Sequence, residues 1–532
     1  MMGYKHTLTL CFALLTVQLF AQQNSIYNNH SFQPFDRYIY NSDARFHTSI
    51  KPYNMLEVNK IVSYDSLFLF SINNKYSNYI LNKDFFAYTN GDFNFSINPA
   101  CNFEYSQDID DTVNGWTNTR GLIIESDITK KVHLFTAFYE TQSRFRDYRN
   151  DRVKELGQRT IPGQSRAKSF GSDNQADDYA FADAYISYNP DSVFGFQFGH
   201  GKHFIGDGYR SLLLSDNAMN YPYFKITTDV WNIKYVNMWS QHYYVDFPHA
   251  ANSRYPKKWN VMHYLDWSVT KWLNIGIFET IIWQNEDSLG VYRGFEFNYL
   301  NPVIFLRPVE FSVGSPDNVL MGITGKLTLF KNHILYGQLA IDEFKFAEMK
   351  ARNGWWGNKY ALQAGYKTYD IAGIKHLDFQ TEVNYVRPFM YSHFTYSQQY
   401  GHALQSMAHP RGSNFIESVN FLRYNYKRLF IEAKYLYLIH GQDSAGTNFG
   451  NNIFKLYNTR SQEYDNKTGQ SAIKNIVQYK DITVSYMVHR PSNTCITAGL
   501  SSRNAMSDVL TKQQMFYFVA LRSTLQNFYY DF

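Results

Sequence analysis

Hydrophobic and polar residues alternate with a period of two in stretch after stretch of this chain. Between Leu377 and Tyr385, Leu377, Phe379, Thr381, Val383 and Tyr385 share one face, while Asp378, Gln380, Glu382 and Asn384 share the other. Ile431, Ala433, Tyr435, Tyr437 and Ile439 oppose Glu432 and Lys434 in the same way. Leu335, Gly337, Leu339 and Ile341 oppose Tyr336, Gln338 and Asp342, and Ala182, Ala184, Ile186 and Tyr188 oppose Asp183, Tyr185 and Ser187. This period predicts β-strands, whose side chains point to opposite faces in turn. Beyond position 21 no run of 18 apolar residues occurs, so a chain with this pattern can cross a membrane only as a closed barrel.

Alternation by itself also suits a soluble sandwich with one wet face. The aromatic residues favour the membrane: Trp259, Tyr264, Trp267, Trp272, Trp283, Trp355, Trp356 and Tyr360 mark predicted strand ends, as the interfacial girdles of a barrel do. Polar faces carrying Glu, Asp and Lys would then line a watery lumen. The chain closes on an aromatic alternation, Phe528, Tyr530 and Phe532, that resembles the assembly signal of outer-membrane barrels.

Composition narrows the choice. An aromatic share of 18 %, from 44 Tyr, 43 Phe and 9 Trp, excludes a disordered chain, and a mean hydropathy of -0.42 excludes a bundle of apolar helices. A net charge of +5 is too dilute for a nucleic-acid surface, so no nucleic acid is expected as a partner. Residues 1–21 read as a cleaved signal peptide: Lys5 supplies the positive start, Leu8 to Phe20 the apolar core, and Ala21 the small residue before the cut. Of the cysteines beyond it, Cys101 and Cys495 are expected to stand apart rather than pair.

The roughly 510 residues after the leader, at about 25 to 30 per strand with its connections, give about 16 to 20 strands around a real interior. The expected fold is therefore all-β, an antiparallel transmembrane β-barrel of the outer membrane. Residues 22–52 are expected as an N-terminal periplasmic segment and residues 53–532 as one barrel domain.

Two stretches break the alternation. Residues 140–178 hold eight basic and seven acidic residues and predict a long polar loop. Its Arg144, Arg146, Arg149 and Arg152 are candidates for pairing with acidic groups of a polysaccharide, since guanidinium binds carboxylate bidentately; internal ion pairs are the plainer alternative. From Gly199 to Asn217 the chain turns glycine-rich. Lys202 is followed by His203, which departs from a phosphate-binding P-loop. Gly199, Gly201, Gly206 and Gly208 predict a tight inward-facing constriction, with Asp207, Arg210 and Asp216 satisfying one another beside Asn217.

At Gly195–Ala218, continued by Tyr221-Pro-Tyr-Phe-Lys-Ile226, the sequence resembles the capsule-assembly Wzi family, and most closely its gliding-motility RemB-like branch. Supporting blocks are Ile161–Arg166, Glu382–Pro388, His409–Phe415 and Asn448–Phe454. The resemblance implies a barrel of about 18 strands that is not an enzyme and carries no cofactor. It further implies a role in surface gliding or in binding and assembling capsular polysaccharide, with the sugar held by outer loops. Expected partners are outer-membrane lipid, surface polysaccharide, the barrel-assembly machinery and a gliding or secretion complex.

Catalytic patterns are sparse. The nearest approach to a G-x-S-x-G elbow, Gly163-Gln164-Ser165-Arg166-Ala167, fails at its last residue. His200, His203, His393, His402 and His409 read as structural histidines rather than metal ligands, and Asp108, Asp110 and Asp111 lack the glycine and distal glutamate of an EF-hand. A porin or substrate-specific channel is the main alternative function, and a secreted glycan-active enzyme the more distant one.

Overall fold

The computed structural model describes Asn24 and residues 29–40, 45–68, 74–109, 114–164, 166–245, 255–286, 290–302, 305–313, 317–523 and 526–532; the expected leader, Asp110, Asp111 and Ser165 lie outside these. Eighteen antiparallel strands close into a barrel. The first nine are β1 (Phe93–Asp108), β2 (Asn114–Thr129), β3 (Val132–Arg144), β4 (Ala176–Tyr188), β5 (Phe194–Gly201), β6 (Tyr221–Val230), β7 (Ile233–Tyr243), β8 (Lys257–Ser268) and β9 (Leu273–Gln284). The second nine are β10 (Asn318–Leu329), β11 (His333–Glu343), β12 (Lys359–Thr368), β13 (Leu377–Val386), β14 (Phe415–Tyr426), β15 (Leu429–Gln442), β16 (Ile473–His489), β17 (Thr494–Ser507) and β18 (Thr511–Ser523). Closure comes from β18 pairing with β1, with Phe516 opposite Asp108 and Arg522 opposite Asn102. No helix among the described residues is long and apolar enough to cross a membrane.

The period of two has the consequence that a barrel demands. On β13, Asp378, Gln380, Glu382 and Asn384 are buried in the interior while Val383 is exposed on the outer wall. On β18 the exposed set is Met515, Tyr517, Val519 and Leu521. Apolar positions thus face outward and polar ones inward, the reverse of a water-soluble domain.

Connections alternate in length. Two-residue turns at 130–131, 231–232 and 427–428 mark one end of the barrel, whereas 145–175, 285–317, 387–414 and 443–472 run at the other. Trp231 and Phe330 stand almost fully exposed at the short-turn end, with Trp267 and Trp272 half-exposed beside them. Of the residues the sequence assigns to an aromatic girdle, Trp267 and Trp272 stand here, whereas Trp259 packs on Phe295, and Trp355 and Trp356 turn to Glu463 at the long-loop end. Tyr264 and Trp283 do not belong to the girdle. The Tyr264 hydroxyl meets Ser49 Oγ at 2.9 Å inside the barrel. Trp283 is covered by residues 290–313, which lie against the wall where Trp239, Val261, Ile281 and Val319 would otherwise be bare.

The expected domain boundaries also shift. The closed sheet takes in the short strand Phe86–Asn90, paired with the start of β1, so the wall begins at Phe86, and the polar loop spans 145–175 and contains the helix Asp147–Leu156. Residues 29–40 and 45–53 pack inside the barrel. The helix Asn29–Ile39 buries Phe32, Phe35 and Ile39 against inward side chains of the wall, among them Ile334, Tyr336, Phe430 and Met487. An amphipathic segment with aromatic residues finds apolar cover only there, so it enters the barrel. Helices Met55–Ile61, Tyr64–Phe68 and Lys75–Asn82 follow, the first tied to the wall by Lys234 donating to Glu57 at 2.6 Å.

Candidate functional site

Several pieces of chain enter the interior. Besides residues 29–40 and 45–53, the connection 202–220 folds inward, the loop 387–414 descends onto it, and the tail 526–532 turns back from the end of β18. Leu212, Leu213 and Leu214 of the connection, Met390, Tyr391, Tyr400 and Met407 of the loop, and Phe532 of the tail form one buried cluster with the inner wall.

Most charged groups of the 202–220 segment find partners on other parts of the chain. Backbone pairing joins Ile50 and Lys51 to Ile205 and Phe204. Asp207 accepts from the Tyr40 hydroxyl at 2.8 Å and Thr48 Oγ1 at 2.6 Å. Burial alone would raise the Asp207 carboxyl, but Lys326 and Lys51 hold it below the usual carboxylate range. Arg210 meets Glu417 through Nε and Nη2 at 3.3 and 3.0 Å, and Nη2 also reaches Asp531 at 2.9 Å. Asp531 accepts in addition from the Tyr209 hydroxyl at 2.7 Å and from Lys434 at 3.2 Å. Glu382 receives the backbone N–H groups of Tyr209 and Arg210 at 2.7 and 3.1 Å. Asp216 accepts from Asn527 and from the Tyr529 hydroxyl, and Asn217 donates to Ser406 O. Lys202, half-buried and 2.6 Å from Gly163 O, has its pKa pushed down to about 8 by its withdrawal from water.

The expectation that Asp207, Arg210 and Asp216 satisfy one another is therefore corrected. They face three different directions, toward the N-terminal segment, the far wall and the tail. The glycines also divide. Gly199 and Gly201 belong to strand β5, where a side chain would press on Ala184, Tyr185 and Asp183. Gly206, at φ +145°, and Gly208 lie in the lumen segment against Gln338, Glu382 and the Arg210 carbonyl.

The arginines of the polar loop turn inward as well. Arg146 is 5 % exposed, its guanidinium 3.9 Å from the Phe516 ring centre and 3.5 Å from Glu104. Arg149 lies 4.1 Å from the Tyr530 ring and 3.8 Å from the same carboxylate. Arg152 donates to Pro410 O at 2.7 Å and pairs with Glu155, while Arg144 sits 3.6 Å from Asp173 at the loop base. Arg144 and Arg152 pair within the loop, Arg146 and Arg149 reach Glu104 of β1, and the four arginines do not form one outward-facing surface. Phe528, Tyr530 and Phe532 lie in the inward tail and not on a strand, because the last strand stops at Ser523. Phe532 packs on Tyr148 and its carbonyl accepts from Arg503 at 2.9 Å. Cys101 and Cys495 are unpaired.

Sequence reasoning missed Glu104, Glu417, Lys434 and Asp531. One signal was available: Glu382, His409 and Phe415 stand in the supporting blocks, and those blocks converge here. His409 Nε2 lies 2.8 Å from Glu417. Asn414 donates to Phe449 O, and the N–H of Phe389 donates to Gly450 O.

At the long-loop end, a groove of about 380 Å³ is lined by Trp355, Tyr360, Tyr385, Arg387, Asn466 and Lys467 among others. The Trp355 and Trp356 indoles both donate to Glu463 at 2.9 Å, and Arg387 is fixed by the carbonyls of Trp355, Asn358 and Asn466. Fixed aromatic faces beside polar edges suit flat, hydroxyl-bearing ligands.

Among solved structures, the chain is similar to Wzi of Escherichia coli, described as an outer-membrane protein involved in group 1 capsule assembly and as a carbohydrate-binding β-barrel. The TM-score is 0.54 at 12 % identity, over 94 % of this chain and 99 % of that one. At this identity the likeness is one of fold. The outer-membrane protein OpdK of Pseudomonas aeruginosa gives a TM-score of 0.43 at 9 % identity, over 80 % and 98 % of the two chains. OccAB4 of Acinetobacter baumannii gives 0.41 at 9 %, over 81 % and 97 %. No family model matches the chain, and no curated protein matches it.

Proposed function

We propose that this chain is a non-enzymatic outer-membrane barrel that binds surface polysaccharide at its long-loop end and serves in capsule assembly or gliding motility, as the Wzi-like and RemB-like resemblance implies. The observation that carries this reading is the occupied interior. Inward segments pack together across the lumen, and buried ion pairs fasten the 202–220 segment to the tail and the wall, an arrangement suited to a rigid anchor rather than to a diffusive pore. The groove between Trp355, Tyr360 and Tyr385 offers stacking faces to sugar rings, with Arg387 and Lys467 as cationic neighbours. Its ligand would be the strain's own surface polymer, and its partners in the cell would include the barrel-assembly machinery and a gliding or secretion complex.

The test joins binding to conductance. Purified full-length protein should retain the strain's surface polysaccharide and show no steady ion conductance in planar bilayers. Trp355→Ala combined with Tyr360→Ala should weaken retention roughly ten-fold, about 1.4 kcal/mol. A substrate-specific channel is the second reading, favoured by a cavity along the inner wall beside the tail. Steady conductance with no polymer binding would establish it instead.

A further inference from the structure

That cavity, about 220 Å³, follows the inner wall from Asn102 and Ser523 toward Phe145 and Arg146, with the tail as its other side. Its charge is unbalanced. Glu104 is approached by three guanidiniums, Arg146 at 3.5 Å, Arg149 at 3.8 Å and Arg522 at 3.7 Å. One carboxylate thus faces three positive charges in a site largely withdrawn from water, where the surplus is costly. Among the described residues, Arg146 Nε is buried with no hydrogen-bond acceptor. So is the whole side-chain amide of Gln164, 2 % exposed and also lining the cavity. Burial first, and the neighbouring Arg149 second, pull the Arg146 guanidinium below its ordinary pKa. Buried donors without a protein partner beside surplus positive charge are groups that an anionic, hydrogen-bonding molecule would satisfy.

Size and lining narrow the class of occupant. A cavity of about 150 Å³ is enough for a benzene-sized molecule, so this one admits a single six-membered ring with substituents. Thr119, Thr141, Ser501 and Asn102 supply hydroxyl and amide groups, and the Tyr139, Tyr179 and Phe518 rings supply flat faces.

We infer that the lumen contains a binding chamber for a small carboxylate-bearing, hydroxyl-rich molecule of one sugar ring, such as a uronic acid, with Arg146, Arg149 and Arg522 taking its carboxylate and Gln164 a hydroxyl. The chamber is distinct from the long-loop groove and stands whether or not that groove binds polymer.

Calorimetric titration of the full-length protein in detergent tests this with sodium glucuronate, glucose and sodium acetate as probes. Glucuronate should bind saturably with one site per chain, and glucose and acetate each at least about ten-fold more weakly. Arg149→Gln and Gln164→Leu should each weaken glucuronate about ten-fold, and Gln164→Leu should leave heat-modifiable migration and polymer retention unchanged. Gln164→Leu decides the matter if Arg149→Gln fails to fold, since it removes an amide that has no protein partner. Absence of saturable glucuronate binding, equal binding of glucose or acetate, or undiminished binding in a folded Gln164→Leu protein would overturn the inference.

Discussion

Arg210 and Asp531, 321 residues apart in the chain, meet at 2.9 Å in the middle of the barrel, where both are at most 2 % exposed. Asp531 is the penultimate residue and Arg210 belongs to the connection between β5 and β6, so one ion pair fastens the tail to the inward segment. Glu417 of β14 shares the same guanidinium, and Lys434 of β15 shares the same carboxylate. The group is a latch of four charges, two of each sign.

Removing one member of such a group leaves buried charge without compensation, which costs about 3–5 kcal/mol. Arg210→Ala should therefore lower the temperature at which the folded band converts in gel electrophoresis, with barrel insertion retained. Asp531→Asn, which still accepts a hydrogen bond, should lower it less.

Deleting residues 526–532 should open the lumen without abolishing insertion, because none of them lies on a strand. The truncated protein should conduct ions in planar bilayers at levels the full chain does not reach. Replacing Tyr517, Val519 and Leu521 of the last strand by Ser should instead reduce insertion itself, since these residues face the lipid.

Burial by itself would raise the Asp531 carboxyl, but Arg210 and then Lys434 hold it well below the usual carboxylate range. A carboxyl depressed by folding contributes stability that is complete above its unfolded pKa, about 3.9, and is lost as pH falls through the lower folded value. The thermal midpoint should accordingly hold steady down to about pH 5 and fall below about pH 4, and Asp531→Asn should flatten that fall.

Gly206→Val and Gly208→Val should both destabilise the barrel. At Gly206 the φ of +145° disfavours any side chain, and a Cβ would collide with the Gln338 amide. At Gly208 the Cβ would collide with the Glu382 carboxylate that holds the Tyr209 and Arg210 N–H groups. Gly199→Ala acts on the wall instead, against Ala184 O and Tyr185, so it should impair strand pairing while leaving the latch intact. Heat-modifiability and urea resistance of the three variants would separate these effects.

The sequence by itself determined the wall. Period-two alternation is a local property of extended backbone, so Asp378, Gln380, Glu382 and Asn384 could be assigned to one face of a strand before any fold was known. The aromatic pattern, together with the lack of a long apolar run, pointed to that face as the lumen of a closed barrel, and chain length bounded the strand number. The contents of the lumen were decided only by tertiary structure. Nothing periodic in residues 202–220 and 387–414 places them in the lumen, the alternation at Phe528, Tyr530 and Phe532 reads as a strand, and the partners stand hundreds of positions away, as Arg210 and Asp531 do. An arginine's charge is legible in a sequence, but whether it faces a polymer or Glu104 depends on where an aperiodic loop folds, and that is set by the space and charges the closed wall leaves inside.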